Sequence, residues 1–222
     1  MNIRTIAAFL ALPLLAACAP QVETTIHLAD VEKVLADGAA LETPAILRVP
    51  QPSEDDCQAG LAALVEKLGA IAPVAGKGQC VSRDGDEFAE IETAVQIVGS
   101  DAAIGATGLF ALVASRGDGG SVSLSLHVLK PVDDIAGALA SGDGVSTDMD
   151  PTRFVIRLDN DTAGPLDVAP GEVFVDGQPH LADGAAVTLA RKAQIEIRFS
   201  DVAAAYAEQG NHYTFASLAL SG

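Results

Sequence analysis

Alternation of apolar and polar residues predicts most of the strands in this chain. The clearest case is 88–98, where Ile91, Val95 and Ile97 share one face while Glu90 and Gln96 share the other. Similar short patterns rich in β-branched residues predict strands at 23–28, 45–49, 79–82, 108–115 and 121–129. The last two flank a glycine-rich turn, and this arrangement is typical of a β-hairpin.

Helical spacing predicts a long amphipathic helix in the first half of the chain. Ser53 is a good N-cap residue, and the three acids that follow it suit the positive end of the helix dipole. From there to Leu68 the apolar residues fall on one stripe, and Cys57 points inward from the first turn. Shorter helices are predicted at 31–36, 132–139 and 200–209.

A Gly-, Ser- and Asp-rich stretch, 141–150, predicts a boundary between two parts. Beyond it the pattern favours strands at 153–158, 172–175, 186–189, 194–199 and 213–220. The predicted fold class is therefore α+β: an N-terminal mixed α/β-sheet part over 23–145, a linker over 146–150 and a C-terminal β-sandwich-like (Ig-like) part over 151–222. A single continuous α+β domain is the alternative.

The first residues predict an exported, lipid-anchored protein. A charged start, a short apolar run and small residues over 1–17 form a secretory signal peptide, too short to span a bilayer as a mature helix. Its end, Leu15 to Cys18, resembles the lipobox of bacterial lipoproteins, which implies cleavage before Cys18 and acylation of its thiol. An ordinary secretory signal is the alternative. Ala19 stands where an Asp commonly retains such proteins in the inner membrane, so the resemblance favours the outer membrane.

Three further segments, together with the lipobox, resemble an uncharacterised family of proteobacterial and phage-associated lipoproteins. They are 49–57, 154–162 and 173–179. The resemblance implies an export-anchored α+β protein, and it carries no activity and no catalytic residue over to this chain. A short tether, 18–22, is predicted between the anchor and the folded domain.

The net charge of the chain argues against several classes of binding partner. Among 222 residues, 13 Lys and Arg stand against 30 Asp and Glu, which gives a net charge of −17. A nucleic-acid binder needs basic surface to neutralise phosphates, so nucleic acid is not expected as a partner. The same balance argues against polybasic docking on anionic lipid, and the domain is expected to project outward from the membrane. The predicted partners are the bilayer, through acylated Cys18, and an envelope protein.

Cys57 and Cys80 are predicted to form a structural disulfide. They are the two cysteines that remain once Cys18 carries lipid, and an exported chain enters an oxidising compartment. A metal or redox pair is the alternative, but neither cysteine belongs to a CxxC motif or has a histidine nearby in the sequence.

Catalytic, cofactor and metal sites are not predicted. The histidines, which show neither HExxH spacing nor zinc-ligand spacing with cysteine, are His27, His127, His180 and His212. Ser125 shares a strand face with His127, but residues two apart on a strand are too distant for a nucleophile–base pair. Acidic residues cluster at Asp84, Asp86 and Glu87, at Asp159 and Asp161, and at Asp148 and Asp150. They are interpreted as turns or solvated acids, with weak binding of a divalent cation as the alternative.

The expected function is that of a membrane-anchored bacterial cell-envelope lipoprotein acting as a binding or structural module, and not as an enzyme. The alternatives are an envelope hydrolase with an unrecognised site and a surface adhesin or phage-exclusion factor. The sequence names no ligand-binding residue.

Overall fold

A computed structural model describes residues 19–76, 78–105, 108–130, 151–181, 184–210 and 212–219. Within these ranges the chain forms one sheet of thirteen strands and three α-helices. Cys18, the signal peptide 1–17, the predicted helix 132–139 and the predicted linker 146–150 lie outside the described residues.

The elements follow the hydrophobic pattern closely. In the first half the strands are β1 (Gln21–His27), β2 (Leu41–Gln51), β3 (Gln79–Arg83), β4 (Asp86–Val98), β5 (Phe110–Arg116) and β6 (Ser121–Val128). In the second half they are β7 (Arg153–Asp159), β8 (Leu166–Pro170), β9 (Val173–Val175), β10 (Gln178–His180), β11 (Val187–Leu189), β12 (Gln194–Phe199) and β13 (His212–Ala219). The helices are α1 (Leu28–Asp37), α2 (Glu54–Gly69) and α3 (Asp201–Glu208). The sequence predicts all of them except β8 and β10, each of which contains a proline, a residue that weakens a strand pattern.

Helix α2 begins as its sequence indicates. The Ser53 hydroxyl accepts a hydrogen bond from the backbone N–H of Asp56 at 3.1 Å, which satisfies one free donor of the first turn. Three acids occupy that turn, and Cys57, Leu64 and Leu68 are buried on the inner stripe. Helix α2 contacts β3 and β4 and covers this part of the sheet.

Strand β1 lies in the interior of the sheet. The order is β10-β9-β12-β7-β1-β2-β4-β5-β6-β13-β8-β11, with β3 paired to β4 outside this path. β1 runs antiparallel to β2, with Gln21 opposite Arg48, and parallel to β7 along its whole length. Both neighbours bond to β1, so it joins the two halves of the sheet.

This pairing overturns the predicted fold class. The α+β fold, with an N-terminal α/β-sheet part and a C-terminal β-sandwich-like (Ig-like) part, is wrong, because the protein is mostly β and built on one large curled sheet. Strands from 23–145 and from 151–222 are direct neighbours at β1 and β7. Alternation reveals which residues form strands, but it does not reveal a partner that lies far away in the sequence.

The core fills the inside of the curl. Phe154 of β7 meets Phe110 of β5 edge-on, with ring centroids 5.1 Å apart. Phe199 of β12 contacts Phe215 of β13, with centroids 5.6 Å apart. Strands that are distant in the sheet order therefore face each other across a shared aromatic cluster, which holds the curl closed.

The start of the domain is already ordered at its first described residue. Ala19 is buried, and β1 begins at Gln21, inside the predicted tether 18–22. None of the helices described here is long and apolar enough to cross a membrane.

Candidate functional site on the outer face of the sheet

A row of alternating charges crosses the outer face of the sheet, which points away from the core. In β1, Val22, Thr24 and Ile26 are buried on the inner face, so Glu23 points outward. The same alternation in the neighbouring strands completes what we call the charged row: Glu196 (β12), Arg157 (β7), Glu23 (β1), Arg48 (β2), Glu90 (β4) and Arg83 (β3).

Every neighbouring pair in the charged row is in contact. Arg48 donates through Nη1 to Glu23 Oε2 at 2.5 Å and through Nε to Glu90 Oε2 at 2.8 Å. Arg157 bonds the other oxygen of Glu23 and donates through Nη2 to Glu196 Oε2 at 3.2 Å.

The outer end of the row is completed in β3. Arg83 Nη2 donates to Glu90 Oε2 at 3.1 Å, and Gln79 Nε2 donates to Glu90 Oε1 at 2.8 Å. Three cations and three carboxylates therefore alternate over six strands.

Burial is greatest at the centre of the charged row. The side chain of Arg48 is 5% exposed, whereas that of Arg83 at one end is 52% exposed. Removing one partner of a buried ion pair leaves an unpaired charge out of water, which costs far more than breaking an exposed pair. Breaking an ion pair at the centre of the row should therefore lower the free energy of unfolding more than breaking one at its ends.

The pKa values reflect the same arrangement. Burial raises the pKa of Glu23, but hydrogen bonds from Arg157 and Arg48 outweigh it and hold that pKa below the ordinary value. The same holds for Glu90. Burial raises its pKa, but the hydrogen bonds from Gln79 and Arg48 lower the pKa by more, so the net shift is downward. Both carboxylates are therefore ionised at neutral pH.

A groove opens beside the charged row where β1 and β2 separate. Their backbone pairing ends at Thr24 and Ala45, one residue before Pro44, which has no N–H to donate. Side chains replace the missing bonds: Thr24 Oγ1 donates to the Pro44 carbonyl at 2.9 Å, and Thr43 Oγ1 donates to the Thr25 carbonyl at 3.0 Å. The groove has a volume of about 330 Å³.

Polar and apolar surface line the groove about equally, and its charged groups are mainly acidic. Glu23, Asp30 and Glu42 contribute carboxylates, and Arg157 contributes one guanidinium. His27 also lines it, and its Nδ1 lies 3.2 Å from Oδ2 of Asp159 on β7. Such a surface suits a polar or cationic group better than an apolar ligand, because a buried apolar group would strip water from unpaired carboxylate oxygens.

A second polar feature on the outer face is a pair of histidines. His127 of β6 lies opposite His212 of β13, and their rings stack with centroids 5.2 Å apart. Asp101 Oδ1 is 3.6 Å from His127 Nε2. Burial lowers the pKa of His127, Asp101 raises it and His212 lowers it, so the net shift is downward and neutral imidazole is favoured.

The residues that the sequence singled out occupy different structural positions, and the two predicted disulfide cysteines are paired as expected. Cys57 and Cys80 form the predicted disulfide, with Cα atoms 6.0 Å apart, and it joins the first turn of α2 to β3. Cys18 lies outside the described residues. The Ser125 hydroxyl bonds Thr214 Oγ1 at 2.8 Å across β6 and β13, so its near partner is a threonine.

The remaining candidates hold the backbone in place. An Asp161 carboxylate oxygen accepts a hydrogen bond from the backbone N–H of Ala29 at 2.8 Å, in the first turn of α1. Asp84 adopts a positive φ of 54° in the turn between β3 and β4, as expected of an aspartate in a tight turn. Among the described residues, no group of three His, Cys, Asp or Glu side chains is arranged to hold a metal ion.

Sequence reasoning missed both the charged row and the histidine pair. Arg48 interrupts the apolar pattern of β2, and this interruption was the one signal available. The rest depended on strand partners: Glu90 and Gln96 belong to the polar face of the β4 pattern, yet both are buried. Neighbouring strands and side chains cover them.

The fold and the charged row define a mostly β domain with one curled sheet, an ion-paired outer face and a groove whose charged groups are mainly acidic. The chain belongs to the family described as Domain of unknown function (DUF7424), whose model matches residues 20–221. Comparison with curated proteins and with solved structures gives no match.

Proposed function

We propose that this chain is a bacterial cell-envelope lipoprotein, anchored in the membrane by acylated Cys18 and acting as a binding or structural module. The observation that carries the proposal is the position of the lipobox. Leu15 to Cys18 end two residues before the family domain, which begins at residue 20. The family domain then follows the anchor directly, as expected of a lipid-anchored module.

Two further observations support the proposal. A disulfide between Cys57 and Cys80 suits the oxidising compartment that an exported domain enters. Ala19, which follows Cys18, favours the outer membrane over the inner one, as in the lipoproteins that the lipobox resembles. Two acyl chains or more make such anchoring stable, because each buried CH₂ contributes about 0.8 kcal/mol.

The decisive test is the chemistry of Cys18. We expect the N-terminal peptide, isolated from the membrane fraction of a bacterial host, to carry acyl chains on Cys18 by mass spectrometry. The Cys18→Ala variant serves as the control and is expected to leave the membrane fraction or to remain an uncleaved precursor. A bare thiol at residue 18 in normally processed protein would refute the proposal.

Separation of the two membranes tests the placement. We expect the acylated protein to sediment with outer-membrane markers on a density gradient. Recovery with inner-membrane markers would contradict the assignment to the outer membrane while leaving the lipid anchor intact.

The binding role is assigned to the groove beside the charged row. Glu42 is exposed at the groove and can be replaced by a photo-crosslinking amino acid without disturbing the core. We expect crosslinked envelope components at this position and not at Ala190, an exposed control residue between β11 and β12. Identical products at both positions, or none at either, would favour a purely structural role.

A further inference from the structure

One end of the sheet differs from the charged row because it exposes apolar side chains together with arginines. Strands β1 and β7 begin here, and the backbone N–H of Arg153 donates to the Pro20 carbonyl at 2.8 Å. β12 ends here at Phe199, which pairs with Val173, the first residue of β9. We call this region the Pro20 end.

Exposed apolar side chains collect at the Pro20 end. Within the described part of the chain the exposed large apolar residues are Leu181, Val202 and Tyr206. Val202 and Tyr206 lie four positions apart on α3 and so share one helix face. Leu181 follows His180, which pairs with Val173 at the same end of the sheet. Helix α3 itself follows β12 directly, and Glu208 near its end accepts a hydrogen bond from the Thr152 N–H at 2.8 Å.

Two arginines accompany these apolar groups. Arg153, Phe174, Arg198, Asp201 and Val202 line one open cavity of about 540 Å³. The Arg198 guanidinium lies over the Phe174 ring at 5.0 Å. Among the described residues neither arginine side chain forms an ion pair, although Asp201 is close by. With two arginines against one aspartate in its lining, the patch therefore combines a net positive charge with exposed apolar surface in a strongly acidic chain.

The chain leading to the anchor leaves from this same end. Ala19 is buried and Pro20 is bonded to Arg153, so only one peptide bond separates Cys18 from the fixed domain. Even a fully extended chain covers at most about 3.6 Å per residue, so Cys18 cannot move more than about 7 Å from Pro20. A lipid on Cys18 would bring the Pro20 end against the bilayer surface.

We infer that the Pro20 end is a membrane-docking surface, with Arg153 and Arg198 on anionic phospholipid head groups and Val202 and Tyr206 at the interface. This inference rests on the proposed acylation of Cys18. It replaces the expectation that the acidic domain projects away from the membrane, because local charge at the contact, and not net charge, decides the interaction within a Debye length of about 10 Å. The anchor keeps the patch at high effective concentration near the lipid, so weak contacts suffice.

The chain contains no tryptophan, which makes a single reporter possible. In full-length acylated protein, Val202→Trp places the reporter in the patch. Ala190→Trp is the matched control, because Ala190 is also exposed and adjoins Arg191 and Lys192, but lies beyond the opposite end of β12. Both variants are reconstituted into vesicles of phosphatidylethanolamine and phosphatidylglycerol whose acyl chains are brominated near the interface.

We expect the bromolipids to quench the indole fluorescence of the Val202→Trp variant strongly and to leave that of the Ala190→Trp variant unchanged. Adding Arg153→Gln and Arg198→Gln to the Val202→Trp variant should lower the ratio of docked to undocked protein about thirtyfold, since each basic residue near an anionic surface contributes about fivefold. Vesicles of phosphatidylcholine alone should weaken docking to a similar degree.

Three outcomes overturn the inference. If mass spectrometry finds Cys18 acylated and the protein floats with vesicles, equal quenching in the two reporter variants, or quenching that ignores both arginines, refutes docking while the proposed function stands. If Cys18 is bare, the proposed function fails and the docking surface fails with it. Circular dichroism of each variant against the parent chain confirms that the fold is unchanged.

Discussion

The charged row and the Pro20 end both carry arginines, but the two regions use them in opposite ways. In the charged row, Arg48 lies between two carboxylates and is almost completely buried. At the Pro20 end, Arg153 and Arg198 are exposed and have no carboxylate partner among the described residues. Arginine thus stabilises the fold in the charged row, whereas at the Pro20 end it is free to contact an external partner.

The difference shows how to separate structural charge from functional charge in this family. A charge whose partners lie on neighbouring strands contributes to folding, and its removal affects the whole domain. A charge left without a partner beside exposed apolar groups contributes little to folding and indicates a contact surface. The two regions should therefore respond differently to mutation.

The largest effect is expected from Arg48→Ala. It removes the most buried guanidinium of the row and leaves Glu23 with Arg157 alone, so the free energy of unfolding should fall by about 3 kcal/mol. Urea denaturation measures this loss. The control is Arg83→Ala, which removes an exposed partner of the same Glu90 and should cost about 0–1 kcal/mol. Equal losses in the two variants would mean that the burial of Arg48 is not what matters.

The next largest effect concerns the disulfide beside the row. Replacing Cys57 and Cys80 together by Ser should lower the free energy of unfolding by about 3 kcal/mol, because the closed loop no longer restricts the unfolded chain. Chemical reduction of the unmodified protein is the control and should give the same loss. If reduction has no effect on stability, the bond does not restrain β3 against α2.

Acid should weaken the charged row selectively. Hydrogen bonds from the arginines hold the folded pKa values of Glu23 and Glu90 below the ordinary glutamate value, so the unfolded chain binds protons first as pH falls. Their stabilisation is complete above about pH 4.5 and is lost as pH drops through the folded pKa values. Unfolding curves between pH 7 and pH 3 measure it. Arg48→Ala should flatten this dependence, and an unchanged slope would place the acid sensitivity elsewhere.

The smallest effect is expected at the Pro20 end. Arg153→Ala should change the free energy of unfolding by no more than about 0.5 kcal/mol, because an exposed, unpaired side chain contributes little to folding. Denaturation in detergent solution, away from any bilayer, measures it. A loss as large as that of Arg48→Ala would abolish the distinction between the two regions.

Local structure in this protein follows from the sequence, whereas its assembly does not. Ser53 and the three acids that follow it predict the start of α2, and the alternation of apolar and polar residues predicts β4 and β6. Both signals are local, because capping and periodicity act over a few residues. The pairing of β1 with β7 joins Gln21 to Arg153, 132 positions later in the sequence (153 − 21), and no local pattern encodes it. The fold class was therefore wrong even though most elements were right.

The candidate site shows the same division. The disulfide was predicted from the number of cysteines and from the oxidising compartment that the N-terminal residues lead us to expect. The charged row needed six strands in register, and its members look like ordinary surface charges when each strand is considered alone. His127 and His212 likewise meet only because β13 pairs with β6, and Pro44 gives no sign in the sequence that a groove opens beside it.

The interior position of β1 has a mechanical consequence. A force applied to the leading end of β1 along the strand axis pulls on a strand that is hydrogen-bonded to β2 on one side and to β7 on the other. Such a pull loads both rows of bonds in shear, so they must yield together and cannot be unzipped one at a time. A pulling force on β1 is thus resisted by its pairing with both β2 and β7, in the interior of the sheet.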